Sequence, residues 1–392
     1  MKKVLFIASS LGIGGIEQSL VDWLNVLAKD KEFQIDLLLF SGQVIENKYE
    51  IPSAVSVLSL PKYYSFAFGS FREKLKQKPI ACFFSTIRCL IAATPEKIIN
   101  KETYRMAIIH HYINKMCKIE NQYDICIAYS SGAPIYFAVN KTKYRKLITF
   151  IHGEISSFSY KRNQEFSSVD TIICVSKKCA ESFCKYYPVH KNKVFVINNL
   201  FDKTSIVKKS LLPQYEFNRD FFNILSVGRL TPDKNFTSLV DCFHLAMPSF
   251  NKKCRLYIIG DGFDKPNVQN QINKHGLNEA IILLGMQDNP YSYMRQCDLY
   301  VQPSIAEGYG LTIREAYELK CPILATNVGV VPELIQNGYN GIIADDCSAD
   351  FSSKLVQLVN DDILRQNIKN NIQENDTNET SVTILKSILQ NS

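Results

Sequence analysis

Glu307 and Glu315, with seven residues between them, stand at the entrance to what reads as a strand, a glycine loop and a helix. The apolar run Leu299 to Val301 ends at Pro303, Gly308 and Gly310 open a tight loop, and the pattern from Leu311 to Lys320 predicts a helix. Unpaired backbone N–H groups and the positive end of the helix dipole make such an entrance a place for an anion. A phosphate fits there. Carboxylates on either side of it are poor phosphate ligands, but they accept hydrogen bonds well from the paired hydroxyls of a sugar. A phosphate flanked by two polyols describes a nucleotide sugar. Taken singly, the two acids also read as ordinary first-turn residues, and the glycines as mere turn formers.

A second set of chemically suited residues lies upstream. In Gly228-Arg229-Leu-Thr-Pro-Asp-Lys234-Asn235, the Arg229 guanidinium can fork onto two phosphate oxygens and Lys234 supplies a compact charge, so together they can neutralise a diphosphate. Surface salt bridges are the alternative for both. His152 follows the apolar run Leu147 to Ile151, at the end of a strand where α/β sheets bind their ligands.

These residues need a scaffold, and the chain alternates apolar runs with helical stretches along its whole length. Val4 to Ala8, Ile35 to Phe40, Asp124 to Tyr129, Leu147 to Ile151, Thr171 to Val175 and Lys193 to Ile197 read as strands of a first set. Phe222 to Val227, Leu256 to Gly260, Ile281 to Gly285, Leu299 to Val301 and Ile323 to Thr326 form a second, followed by the Gly329 to Glu333 turn, the Gly338 to Ala344 segment and helical stretches to Leu389. The expected fold class is α/β, with two doubly wound Rossmann-like domains facing a cleft. We place the domains at residues 1–203 and 204–376, with 377–392 as a helical tail returning to the first domain and the polar stretch Lys203 to Asp220 as linker. A dinucleotide fold is disfavoured. Gly12 and Gly14 begin a GxGxxG pattern, but Glu17 takes the place of its third glycine, and Ser41-Gly42 offers no acid for a ribose.

Composition narrows the class further. At 392 residues, 46% hydrophobic and 21% charged, this is an ordinary globular composition with room for two cores. The twelve cysteines are scattered without CxxC or zinc-ligand spacing, which predicts free thiols and a reducing, cytoplasmic setting. The apolar run after Met1-Lys2-Lys3 is too short for a signal-peptide core. Residues 1–200 hold 27 Lys/Arg and 16 Asp/Glu, a net +11, whereas residues 201–392 hold 18 and 22, a net −4. A basic half suits nucleic acid, anionic lipid or an anionic substrate. No zinc finger, RNA-binding signature or dense arginine tract supports nucleic acid. Tyr63, Tyr64, Phe66, Phe68 and Phe71, followed by Lys74, Lys76, Lys78 and Arg88, read either as a membrane-surface segment or as part of a core helix.

PSIAEGYGLTIREA, spanning Glu307 and Glu315, resembles the E-x7-E motif of the retaining glycosyltransferases of family 4. FIHGE around His152, GGIE at Gly14, and the Gly228 to Asn235 element resemble other stretches of that family. Asn198-Asn199-Leu200-Phe201-Asp202 departs from the family's N-G-x-D turn, because Leu200 replaces the glycine. The resemblance implies a GT-B fold and sugar transfer from a nucleoside diphosphate donor, UDP-linked, to a hydroxyl of a growing lipid-linked surface polysaccharide. It implies that His152, Arg229, Lys234 and Glu307 act on the reacting groups. Gly14, Gly15, Met286, Gly308, Tyr309, Gly310, Leu311 and Glu315 would hold the donor. No metal site and no cofactor are expected, since the chain contains no Asp-x-Asp pair. The expected partners are donor, glycan or lipid-linked acceptor, and the anionic inner face of the plasma membrane. Rival readings are a nucleotide-sugar 2-epimerase and a non-catalytic glycan- or membrane-binding relative.

Overall fold

The structure is a computed structural model that describes residues 1–11, 14–40, 50–58, 101–155, 163–212, 216–373 and 378–391. The aromatic and basic run from Tyr63 to Arg88 lies outside the described residues.

The chain divides into two compact units. One comprises Met1–Val175, Ala180–Leu200 and Asn378–Ser392, and the other Ser176–Cys179 and Phe201–Thr377. The first holds β1 (Lys2–Ala8), β2 (Phe33–Leu39), β3 (Val55–Val57), β4 (Gln122–Ala128), β5 (Lys143–Ile151), β6 (Thr171–Cys174) and β7 (Val194–Val196). Their order is β3-β2-β1-β4-β5-β6-β7, and all pairs are parallel. The second holds β8 (Phe222–Val227), β9 (Cys254–Ile259), β10 (Ile281–Gly285), β11 (Leu299–Gln302), β12 (Ile323–Thr326) and β13 (Ile342–Ala344). Its order is β10-β9-β8-β11-β12-β13, again parallel. Each is a doubly wound Rossmann-like sheet, as the alternation of runs requires. The order reverses beside β1 in one unit and beside β8 in the other, so the loops leaving β1 and β4, and those leaving β8 and β11, diverge and leave a crevice.

The strands read as continuous apolar runs because both sheet faces are covered. In β8, Ile224 packs into one core with Leu256, Ile258, Val301 and Leu324, while its neighbour Leu225 packs into the opposite one with Tyr257, Ile259, Tyr300 and Ala325. Burying each such side chain contributes about 1.5–3 kcal/mol.

One expected linker is structured. Lys203–Ser210 is a helix whose first turn is capped by the Asp202 carboxylate, which accepts from the Ser205 N–H at 2.9 Å. Ile206 and Phe217 then enter the second core. Polarity misled here because the helix exposes a lysine-rich face and buries little else. The C-terminal helix Asn378–Gln390 belongs to the first unit; Leu385 and Leu389 are buried and Lys386 pairs with Asp30 at 2.7 Å. Among the described residues, no helix is long and apolar enough to cross a membrane.

Candidate active site

The crevice of the second unit gathers most of the expected residues. Lys234 follows β8 and Glu307 follows β11, its neighbour in the sheet, and the Lys234 ammonium donates to Glu307 Oε1 at 2.5 Å. Both are largely buried, with side-chain exposures of 16% and 6%. Removing two charges from water is tolerable only when each is paired and hydrogen-bonded, and the structure supplies the bonds. Ser304 Oγ lies 2.8 Å from Glu307 Oε1 and donates to it, Gln302 Nε2 donates to Ser304 Oγ at 2.8 Å, and Tyr300 OH donates to Gln302 Oε1 at 2.8 Å. Burial pushes the Tyr300 phenol well above its ordinary pKa, which keeps it a donor. This relay runs one way, from phenol to amide to hydroxyl to carboxylate. The bonds from Ser304 and Lys234 both fall on Glu307 Oε1, so Oε2 is the oxygen placed to accept from a ligand.

Two backbone devices hold the carboxylate in place. Gly329, at φ 55°, packs so closely that an added Cβ would lie 2.6 Å from Glu307 Cβ. Gly310, at φ 72°, turns the chain into the helix Leu311–Glu318, whose first turn no side chain caps. Within that turn the N–H groups of Ile313 and Arg314 bond the Gly310 carbonyl at 3.0 and 3.1 Å, so the positions that a helix start leaves for an anion are the N–H groups before them. Glu315, within this helix, accepts from Tyr291 OH at 3.1 Å. Arg229 is exposed on the β8 loop. That loop is supported by Gly260 and Gly262, where any side chain would collide with the carbonyls of Gly228 and Leu230. Met286 is 49% exposed just after β10.

In the first unit the corresponding loops place Gly14 and Gly15 at the start of the helix Gly15–Leu27 and His152 just beyond β5. Tyr129, at the end of β4, joins them. Its hydroxyl lies 2.8 Å from Ser19 Oγ in that helix, and its carbonyl accepts from His152 Nε2 at 2.9 Å. With Nε2 committed as donor, Nδ1 is the acceptor, and it is buried without a hydrogen-bond partner among the described residues. Desolvation of the imidazole lowers its pKa to about 4, opposed by the bond to Tyr129. His152 is therefore neutral in ordinary buffers. A carbon-detected NMR titration of its ring should inflect near 4. Since the unfolded chain takes up this proton near 6.5, the stabilising contribution of the neutral ring is lost as pH falls from there through about 4. An inflection above 6 would place the ring in water.

Sequence reasoning missed Tyr129 and the Tyr300–Gln302–Ser304 relay. A signal for the relay existed: Gln302 is a polar residue ending a buried strand, and it shares a strand face with Tyr300. Among the described residues no group of three or more His, Cys, Asp or Glu is arranged to hold a metal ion.

Two sets of crevice loops on doubly wound sheets, one bearing an ion-paired carboxylate before a helix entrance, define where a ligand can bind but not which ligand or reaction. Comparison with known proteins supplies the class. Residues 77–204 match the model of Glycosyltransferase Family 4, and residues 207–375 match that of Glycosyl transferases group 1. The chain belongs with the glycosyltransferases of GT-B fold and is an enzyme of that kind. It is 25% identical over 374 residues to the N-acetylgalactosamine-N,N'-diacetylbacillosaminyl-diphospho-undecaprenol 4-alpha-N-acetylgalactosaminyltransferase of Campylobacter jejuni, covering 94% of this chain and 93% of that one. An uncharacterized glycosyltransferase of Methanocaldococcus jannaschii is 32% identical over 208 residues, 52% of this chain; the match spans only 54% of that relative's length. Among solved structures, Anabaena HepE in complex with UDP and glucose superimposes with a TM-score of 0.68 over the whole of both chains, at 18% identity.

Proposed function

We propose that this chain is a retaining glycosyltransferase that moves a sugar from a UDP-linked donor to a hydroxyl of a growing, lipid-linked surface polysaccharide at the cytoplasmic face of the membrane. The observation that carries the reading is the Lys234–Glu307 pair in front of the Leu311–Glu318 helix. It sets a cation suited to a diphosphate beside a carboxylate suited to a sugar hydroxyl, within one crevice. The UDP and glucose held by HepE support the donor class, and the diphospho-undecaprenol in the name of the Campylobacter relative supports the acceptor.

In this reading the bond from the sugar's anomeric carbon to the diphosphate breaks, and the acceptor oxygen bonds to that carbon on the same face. The acceptor's proton passes to the departing phosphate, so no side chain need act as base. Arg229, Lys234 and the N–H groups of the Gly308, Tyr309, Gly310 and Leu311 loop stabilise the charge that develops on the diphosphate, without a divalent ion. An ammonium has three donors, so Lys234 can keep Glu307 and still reach a phosphate oxygen. Glu307 Oε2 receives a sugar hydroxyl, Glu315 the ribose, and Met286 lies against the base. His152 Nδ1 accepts a hydroxyl at the reacting end of the sugar, and the amides of Gly14 and Gly15 approach the donor phosphate or the acceptor. The test is to incubate the protein with UDP-α-sugars and a polyprenyl-diphosphate-linked saccharide and to read the product's anomeric configuration by NMR. An α-linked product is expected. A β-linked product would overturn retention, donor isomerisation without acceptor would indicate an epimerase, and neither binding nor turnover of any nucleotide sugar would overturn the donor assignment.

A further inference from the structure

The second unit carries a cationic cavity in whose wall none of Arg229, Lys234, Glu307 or Gly310 takes part. Its volume is about 420 Å³, and Lys203, Arg295, Lys320 and Lys369 line it. Among the described residues Glu318 is the one carboxylate in that wall, and both its oxygens lie in ion pairs. Oε1 pairs with Arg314 Nη2 at 3.0 Å and Oε2 with Lys203 Nζ at 3.6 Å. Arg314 is itself buried, 1% exposed, with its guanidinium 4.6 Å from the centre of the Phe201 ring. The acid's charge is thus met from inside the protein. Arg295, Lys320 and Lys369 are exposed and form no ion pair among the described residues, although residues 201–392 carry a net −4 and acids are plentiful.

Lys320 adds a second, independent observation. It follows the Leu311–Glu318 helix at the position where the chain turns left-handed, with φ 57°. The turn closes by the Cys321 N–H to the Ala316 carbonyl at 3.0 Å and the Lys320 N–H to the Tyr317 carbonyl at 2.9 Å, the double bond pattern that normally selects glycine. Glycine enters this conformation freely, whereas a lysine is strained in it. Lys320 is exposed at the cavity wall in spite of that strain, and a backbone outlier of this kind points to a role for its side chain.

We propose that this cavity binds a phosphate-bearing anion, with Arg295, Lys320 and Lys369 supplying the countercharge. The proposal is independent of the donor reading, since it uses none of the same cations. A lysine at a helix C-terminus also opposes the dipole, and the two roles predict opposite behaviour. If Lys320 serves the dipole alone, Lys320→Gly lowers the thermal midpoint and leaves anion binding unchanged. If it serves the cavity, the midpoint holds or rises and anion binding weakens.

The experiment is calorimetric titration of the full chain with inorganic pyrophosphate at low salt, on wild type, Arg229→Ala, Lys320→Gly and Arg295→Ala/Lys369→Ala, with thermal midpoints recorded alongside. The expected result is a pyrophosphate site that survives Arg229→Ala, weakens about fivefold in Lys320→Gly, and weakens about 25-fold in the double variant. Absence of such a site, or binding equal to wild type in both cavity variants, would overturn the proposal. Sedimentation with vesicles of phosphatidylglycerol in phosphatidylcholine, against phosphatidylcholine alone, separates the sources. Vesicle binding that the cavity variants lose identifies a lipid headgroup, whereas pyrophosphate binding without vesicle binding identifies a soluble phosphate. Cavity binding that persists where no nucleotide sugar binds would sink the donor reading alone.

Discussion

Lys234→Ala should slow sugar transfer by roughly 30- to 5,000-fold, the equivalent of about 2–5 kcal/mol of lost transition-state stabilisation. Two effects combine. The departing diphosphate loses one of its fixed cations, and Glu307 is left as a carboxylate only 7% exposed without its countercharge. Arg229→Ala should cost less, because Arg229 is exposed on its loop and its loss strands no buried partner. The second effect also makes Lys234→Ala the less stable variant, visible as a lower thermal midpoint. A double variant with Glu307→Gln should be less impaired than the product of the two single effects, because the residues act as a pair. Initial rates in excess EDTA for wild type, Arg229→Ala and Lys234→Ala are the measurement. Wild-type activity is expected to persist. Activity abolished by EDTA and restored by Mn2+ would show that a divalent ion carries the charge, and near-normal rates in both alanine variants would place the diphosphate elsewhere.

Glu307→Gln should reduce kcat by about 100-fold while changing affinity for UDP little. The amide preserves shape and can still accept from Ser304 and Lys234, but it loses the charge with which Oε2 would hold a sugar hydroxyl. A hydrogen bond to a charged group is worth about 1.5–3 kcal/mol. An interaction strongest in the transition state lowers kcat and kcat/KM together. UDP lacks the sugar, so its binding reports on the base and diphosphate alone. Single-turnover rates and UDP titrations on the same protein separate the two quantities. Equal loss of UDP affinity and turnover would mean that Glu307 acts through Lys234 on the phosphates, and near-normal turnover would remove it from the reaction.

Apart from the three-residue edge strand Val55–Val57, which is too short to show a pattern, the strands, their parallel arrangement and the loops that carry function were legible from the chain, because each depends on local pattern. A two-sided apolar run bounded by glycine, such as Phe222 to Val227 before Gly228, fixes both a buried strand and the place where its loop begins. The spacing of Glu307 and Glu315 around Gly308 and Gly310 likewise specifies a loop and helix entrance by itself. What no local pattern encodes is which loops become neighbours. Lys234 and Glu307 are 73 positions apart and meet only because β8 pairs with β11, an order set by packing both faces of the whole sheet. The same holds for Tyr129, which joins Ser19 to His152 across three parallel strands, and for Gly329, which is needed only because Glu307 lies against it. Composition marks the segment after Asp202 as polar, whereas its helix is decided by one cap and the burial of Ile206. Lys320 shows the same division most plainly. Its sequence neighbours predict a helix end, but only the backbone reveals that a lysine occupies glycine's conformation beside three other cations.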